Sequence, residues 1–428
     1  MGILAVMGEI KLQRRGFPSP LSKGENGLAS FLSFKEERMK KFIICILFLL
    51  LMSPFLLADS LSLSFYQYLT DNLFQNRYAE PDQLSIMNFY FDKGFSNFSF
   101  FSEGNYTYLF QNSEFAYYVH DLGLDYLYPV NEKTALYFSL GGRGAFYRSD
   151  FSDFNYISFN FFSALKTYFS QTSIFKSDYS LEYRNYKYSL FDFLSHAISL
   201  SLDRYFQTKT TLKAEANWGY KYFFHPFISA EIDSADENQY WHYHGGKGKG
   251  SGYGKESSKI TSLDGEGVGI QVFSLAGLIA QGLGNHIGLS LTGMKQWTLS
   301  GENPFTYVED YYAVENPSYD RYSWAGYQLG GQLTALLPWN IQLKMGYTIS
   351  NKEFPGIESM SLEGEPSGLT RKDERNQFEA RLEKNFPRFS VFLFYSYIDN
   401  KSNDPFFEWK GHFFSAGIEW NLYFGERK

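Results

Sequence analysis

Thr211-Leu212-Lys213-Ala214-Glu215-Ala216-Asn217-Trp218-Gly219-Tyr220-Lys221-Tyr222 alternates in polarity without a break. Leu212, Ala214, Ala216, Trp218, Tyr220 and Tyr222 fall on one side, and Lys213, Glu215, Asn217, Gly219 and Lys221 on the other. A period of two kept over such a length is a β-strand with one apolar and one polar face. A helix of the same sequence would carry Lys213 and Glu215 across its apolar stripe. Residues 340–350 repeat the scheme, with Ile341, Leu343, Met345, Tyr347 and Ile349 against Gln342, Lys344, Gly346 and Thr348. Phe378, Ala380 and Leu382 alternate in the same way with Gln377, Glu379, Arg381 and Glu383.

Strand length points to the environment. Strands of soluble proteins run about five or six residues, whereas a tilted membrane-crossing strand needs about 9 to 11. Segments of the longer kind follow one another from residue 59 to the end of the chain. Their expected limits are 61–70, 84–93, 98–110, 116–128, 134–147, 155–168, 174–186, 194–206, 210–223, 266–279, 286–298, 323–336, 340–350, 376–385, 388–398 and 411–424. The first three mix Phe and Ser without a clean face, so the count is about 16, with 14 to 18 as its range. Aromatics near segment ends, such as Tyr126, Tyr128, Tyr220, Tyr222, Trp297 and Trp420, suit the two membrane interfaces. The expected fold is all-β, a closed antiparallel transmembrane β-barrel. A long-stranded soluble sandwich or solenoid is the competing fold, but no fixed-period repeat marks a solenoid.

The connections sort by parity. Tight turns at Pro129–Lys133, Gln207–Lys209, Leu337–Trp339 and Phe386-Pro387 follow even-numbered segments. Long connections at 224–265, 299–322 and 351–375 follow segments nine, eleven and thirteen. A sandwich gives no reason for that division; a barrel with long loops on one rim does.

Composition removes several classes. Aromatic residues make up 20% of the 428 positions, with Pro at only 13, so the chain is neither disordered nor low-complexity. A mean hydropathy of -0.31 excludes a bundle of membrane helices. The net charge of -7 argues against nucleic acid as a partner. The single cysteine, Cys45, excludes a disulfide scaffold or a zinc ribbon. Cys45 also falls in a segment with the marks of a signal peptide: Lys40 and Lys41, an apolar run from Phe42 to Met52, and Leu56-Leu57-Ala58 before Asp59. The run is too short to span a bilayer as a helix. The expected division is therefore 1–38 as a cytoplasmic extension or a start assigned too early, 39–58 as a cleaved signal peptide, and 59–428 as the barrel.

At the end of the chain Phe414, Ala416, Ile418, Trp420, Leu422 and Phe424 alternate with Ser415, Gly417, Glu419, Asn421 and Tyr423. This resembles the final strand of bacterial outer-membrane β-barrel proteins of porin-like architecture. The resemblance implies recognition of that strand by the barrel assembly machinery, an outer-membrane location and lipid around the wall, with long loops outside and short turns in the periplasm. Gly425 to Lys428 extend past the terminal aromatic of that pattern.

Catalytic and metal-binding patterns are not found. His120 beside Asp121, and Ser195 beside His196, are neighbours on strands and so point to opposite faces. His225, His242 and His244 share one loop without further ligands in a fixed geometry. The Gly-Lys stretch 245–255 lacks the strand, spacing and helix of a phosphate loop. The expectation is no enzyme and no cofactor. What remains is the inward polar face. Its candidates are Arg143, Lys166, Glu182, Arg184, Lys213, Glu215, Lys221, Lys344, Glu379, Arg381 and Glu383. A barrel of this size holds water, so the expected function is a channel for passive or mildly selective diffusion of small hydrophilic solutes. The alternative is a surface barrel for adhesion, envelope assembly or secretion with a blocked lumen. The segment from about His225 to Ser262 is expected either to regulate access to the lumen or to be a mobile loop without that role.

Overall fold

The computed structural model describes residues 59–187, 189–225, 267–304, 318–362 and 365–424. The expected extension 1–38, the signal peptide 39–58 and all but the first residue of 225–262 lie outside the described residues.

Sixteen strands, each hydrogen-bonded to its sequence neighbours, close into a barrel through antiparallel pairing of the first with the last. They are β1 (Ser60–Thr70), β2 (Asp82–Phe95), β3 (Phe98–Leu109), β4 (Tyr117–Asn131), β5 (Thr134–Tyr147) and β6 (Tyr156–Ser170). Then follow β7 (Ser173–Tyr186), β8 (Phe193–Tyr205), β9 (Thr210–Phe223), β10 (Val268–Leu283) and β11 (Ile287–Ser300). The last are β12 (Ala325–Leu337), β13 (Ile341–Met360), β14 (Pro366–Asn385), β15 (Phe389–Ser402) and β16 (Trp409–Tyr423). The shortest has 11 residues, enough to cross hydrocarbon at a tilt. Closure leaves no sheet edge exposed to lipid, the condition for a β-structure in a membrane.

The register assigns a face to every strand residue. Leu212, Ala214, Ala216 and Trp218 stand opposite Ile279, Gly277, Leu275 and Phe273, and that row continues through Leu291 and Leu289. Leu275, Ile279, Leu291, Leu329 and Tyr347 are all exposed, an apolar outer belt that suits lipid. Lys213, Glu215 and Asn217 stand on the other face, where Asn217 reaches both Glu215 and Ser274. His120 and Asp121 point to opposite sides, as do Ser195 and His196, which removes both pairs as catalytic partners.

The two ends of the barrel differ. Turns at 96–97, 132–133, 171–172, 206–209, 284–286, 338–340 and 386–388 close one end, called here the turn end. Every connection after an odd-numbered strand emerges at the other, the loop end. One expectation is corrected. Residues 351–375 do not form a long connection, because β13 and β14 run on to Met360 and from Pro366, 20 residues each. Pro355-Gly356 reads as a turn, but it sits in a bulge between the pairs Glu353↔Lys372 and Glu358↔Thr370, with Gly356 at φ 82°. A bulge takes up residues that cannot pair and lets the ladder resume, so the hairpin does not end there.

Candidate functional site

The interior begins with the expected polar residues, most of which hold one another. Arg143 of β5 meets Asp121 of β4 at 2.7 Å, and Lys213 meets Glu215 at 2.5 Å. The Arg184 guanidinium lies 2.7 Å from Glu182 and stacks 4.3 Å from the centre of the Tyr156 ring. Arg381 meets Glu383 at 2.9 Å over the Phe392 ring, and Glu379 accepts from Gln377 at 2.6 Å. The Lys166 ammonium lies 5.0 Å from the Tyr168 ring centre, and Lys344 stands between Thr334 and Arg381. Lys221 departs from the pattern: its partner is Asp320, at 2.9 Å, from the connection between β11 and β12. Pairs within one wall contribute only about 0.2 to 1 kcal/mol each. They leave the centre of a sixteen-strand barrel unfilled, because side chains fill only barrels of about eight strands.

Charge is unevenly distributed round the wall. The inward positions of β1–β4 carry Asp82, Asp92, Glu103, Asp121 and Asp125, and no lysine or arginine. The inward positions of β13 and β14 carry Lys344, Lys352, Arg371, Arg375 and Arg381 against Asp373, Glu379 and Glu383. An acidic wall and a cationic wall on different sides of one lumen set up a field across it.

The loop end is packed in a way that the inward polar set does not anticipate. Short 3-10 turns at Ser113–Phe115, Ser149–Phe154 and Ser189–Phe191 each deliver phenylalanine to the mouth. The rings run on from Phe74 to Phe115 (5.8 Å), Phe151 (4.0 Å), Phe154 (6.5 Å) and Phe191 (5.5 Å). Burial of a phenylalanine side chain is worth about 1.5–3 kcal/mol, so this arc over the β1–β8 half is firmly held. A buried carboxylate ties several of these connections. Asp82 accepts from the backbone of Phe110, Gln111 and Asn112, and Asp192 from that of Tyr186. Asp404 accepts from Phe406 and Met360, yet burial still raises its carboxyl above the ordinary value.

The other half is crossed by residues 318–324, a strap from the β11–β12 connection. Lys352 of β13 donates to the Ser318 carbonyl at 2.5 Å, and Arg371 of β14 to the Ser318 hydroxyl at 3.4 Å. Tyr319 donates to Gln75 of the β1–β2 connection at 2.6 Å. Asp320 pairs with Lys221, and the Tyr322 ring lies where a Cβ on Gly219 would stand. Gln296 of β11 donates to the carbonyls of Arg321 and Trp324, at 2.8 and 2.5 Å. Burial works against the Asp320 charge, but Lys221 and hydrogen bonds from Tyr322 and Ser323 hold its carboxyl below the ordinary value. Beneath the strap Arg371 lies between the Phe354 and Phe407 rings and meets Asp373 at 2.6 Å.

Strap and arc were missed in the sequence reading, in part because Lys352, Arg371 and Asp373 fell in the presumed 351–375 connection. A signal for the arc exists: Ser-x-Phe recurs as Ser113-Glu114-Phe115, Ser149-Asp150-Phe151, Ser152-Asp153-Phe154 and Ser189-Leu190-Phe191, always after an odd-numbered strand. The strap has no such mark. Among the described residues no group of three or more His, Cys, Asp or Glu could hold a metal ion.

No family model matches this sequence, and no curated protein matches it. Solved structures do match in fold. Acinetobacter baumannii OccAB1 aligns over 86% of this chain and 96% of its own, at 9% identity and a TM-score of 0.50. Pseudomonas aeruginosa OccD3 (OpdP) aligns over 86% and 91% at 9% identity and 0.46. Pseudomonas aeruginosa OpdK with vanillate aligns over 85% and 98% at 9% identity and 0.45. The chain thus has the architecture of a porin-like outer-membrane barrel, closed over sixteen strands.

Proposed function

We propose that this protein is a channel of a bacterial outer membrane through which small hydrophilic solutes diffuse. The observation that carries the reading is a closed sixteen-strand wall, apolar outside, whose inward face carries charged residues on β2–β9, β13 and β14 and uncharged polar ones on β11 and β12. Such a wall encloses more space than its side chains occupy, and ionised groups facing that space keep it wet. Arg143, Lys166, Glu182, Arg184, Lys213, Glu215, Lys221, Lys344, Glu379, Arg381 and Glu383 line the path in this reading. The acidic wall on β2–β4 and the cationic wall on β13–β14 favour solutes that carry both signs, which the cross-lumen field orients.

In this reading the loop end faces outside and the turns face the periplasm, as the difference in connection length suggests. Residues 39–58 are removed as a signal peptide, in keeping with a first strand that starts at Ser60. The outward row of β16, ending at Phe424, serves the barrel assembly machinery. The test is single-channel recording of the refolded protein in planar bilayers. Discrete conductance steps, with permeation of a zwitterionic solute measured by vesicle swelling, are expected. A folded, inserted barrel that passes neither ions nor solutes defeats the proposal and leaves a surface barrel with a blocked lumen.

A further inference from the structure

We infer that the outward face of β8–β14 carries a site for a phosphate-bearing lipid, with the phosphate at Lys295 and an acyl chain in the trough on its turn-end side. Toward the loop end the outward charges of β13–β16 are matched. Glu353 lies 3.4 Å from Lys372 and Asp399 lies 3.1 Å from Lys410, while Glu374 stands opposite Lys401. Lys295 of β11 has no such neighbour. Leu275 of β10 and Tyr327 of β12 stand directly opposite it, and Phe273, Gly277 and Leu329 take diagonal positions. The residue is exposed on a face that lipid covers. The exposed rings of Trp297, two positions nearer the loop end, and of Tyr327 mark the membrane interface at its level. An unmatched ammonium there meets lipid headgroups, and phosphate is the anion that those headgroups share.

On the turn-end side of Lys295 the outward surface is hollowed rather than filled. One hollow, of about 580 Å³, lies over Gly277 and Gly293 between Leu212, Leu291 and Leu329. Gly293 is two positions from Lys295 on the same face, so this hollow opens beside the ammonium. A second, of about 560 Å³, lies over Gly331 between Leu289, Met345 and Phe378, and the two share Ile279 and Leu291. The backbone does not require glycine at 277 or 331. Neither has a positive φ, and a Cβ would meet nothing nearer than 3.7 Å on Gly277 or 3.4 Å on Gly331. Glycine weakens a strand, and what it supplies at these positions is room. The walls are apolar, so the room suits a hydrocarbon chain and not water. A cation at one end and an apolar trough leading from it fit a single molecule, a lipid whose phosphate and acyl chain are covalently joined.

In the orientation proposed above the loop-end leaflet is the outer one, so the probe is diphosphorylated lipid A, compared with the same lipid stripped of both phosphates. Native mass spectrometry of the refolded barrel in detergent measures the lipid retained, and the heat-dependent gel shift shows that each variant is folded. The unmodified protein should bind the phosphorylated form about fivefold more tightly. Lys295→Gln should remove that preference, while Lys401→Gln, from a matched pair, should keep it. Gly277→Leu with Gly331→Leu should weaken both lipids several-fold by filling the hollows, and either replacement alone should act in the same direction. Equal binding of the two lipids, or a preference that survives in Lys295→Gln, overturns the phosphate site. Undiminished binding to the glycine variants overturns the trough. The measurement needs no current, so lipid retained on a barrel that conducts nothing sinks the channel reading and leaves the lipid site standing.

Discussion

Arginine at position 216 and lysine at position 217 should have opposite consequences, although the positions are neighbours. Ala216 lies near the middle of the outward row of β9, between Leu200 of β8 and Leu275 of β10. Asn217 points into the lumen, where its amide already reaches Glu215 at 2.9 Å. An arginine on the lipid face near the bilayer midplane costs about 2–4 kcal/mol, since the guanidinium must either lose its water or drag water and headgroups inward. At about 1.4 kcal/mol per factor of ten, Ala216→Arg should lower the folding equilibrium constant by roughly 30- to 700-fold. Asn217→Lys places its ammonium in a wet space beside a carboxylate, so its effect should stay within about 0.5 kcal/mol. Reversible folding into lipid vesicles over a urea series, followed by the heat-dependent gel shift of the folded barrel, measures both. Equal costs for the two variants, or a larger one for Asn217→Lys, would mean that the faces have been assigned the wrong way round.

Asp373→Asn should destabilise the loop end by about 3–5 kcal/mol, because it leaves the buried Arg371 guanidinium without its carboxylate. Replacing both, Arg371→Met with Asp373→Leu, should recover most of that loss; urea midpoints of the three forms decide it. Phe151→Ala takes one ring from the middle of the arc and should cost about 3–5 kcal/mol, read as faster amide exchange at the loop end while the turn end stays protected. The Lys221–Asp320 ion pair should also respond to acid. With its carboxyl held below the ordinary 3.8 by Lys221 and flanked by Arg321, Tyr322 and Ser323, Asp320 stabilises the strap fully above 3.8. That contribution is lost as pH falls through the lowered value. The share of loop-end protection that Asp320 supplies, read by amide exchange against Asp320→Asn, should therefore disappear only in acid below the ordinary carboxylate range; a difference between the two forms that vanishes near neutrality would refute the assignment.

Period-two alternation was written into the sequence by the membrane itself. Each strand must show lipid one face and water the other, so the β9 sequence carries its own assignment, and so do β13 and β16. The parity of the connections was visible for a similar reason, since tight turns and long loops leave residues of different number and kind. Strand ends were less visible where a rule has an exception, as at Pro355-Gly356, which continues a strand through a bulge.

The mouth depended on distances that no local pattern records. Lys221 and Asp320 are 99 positions apart, and Tyr319 and Gln75 are 244 apart. A lysine on the polar face of a strand looks the same in sequence whether it hydrates a pore wall or fastens a strap. The same holds for Arg371, whose burial between Phe354 and Phe407 needs β14, β13 and the β15–β16 connection to meet. Sequence alone determined the barrel, its sense and its two unlike ends, because lipid imposes the same demand on every strand in turn. Only the tertiary structure decided how the loop end is filled, because there the demand comes from whichever side chains closure of the barrel brings face to face.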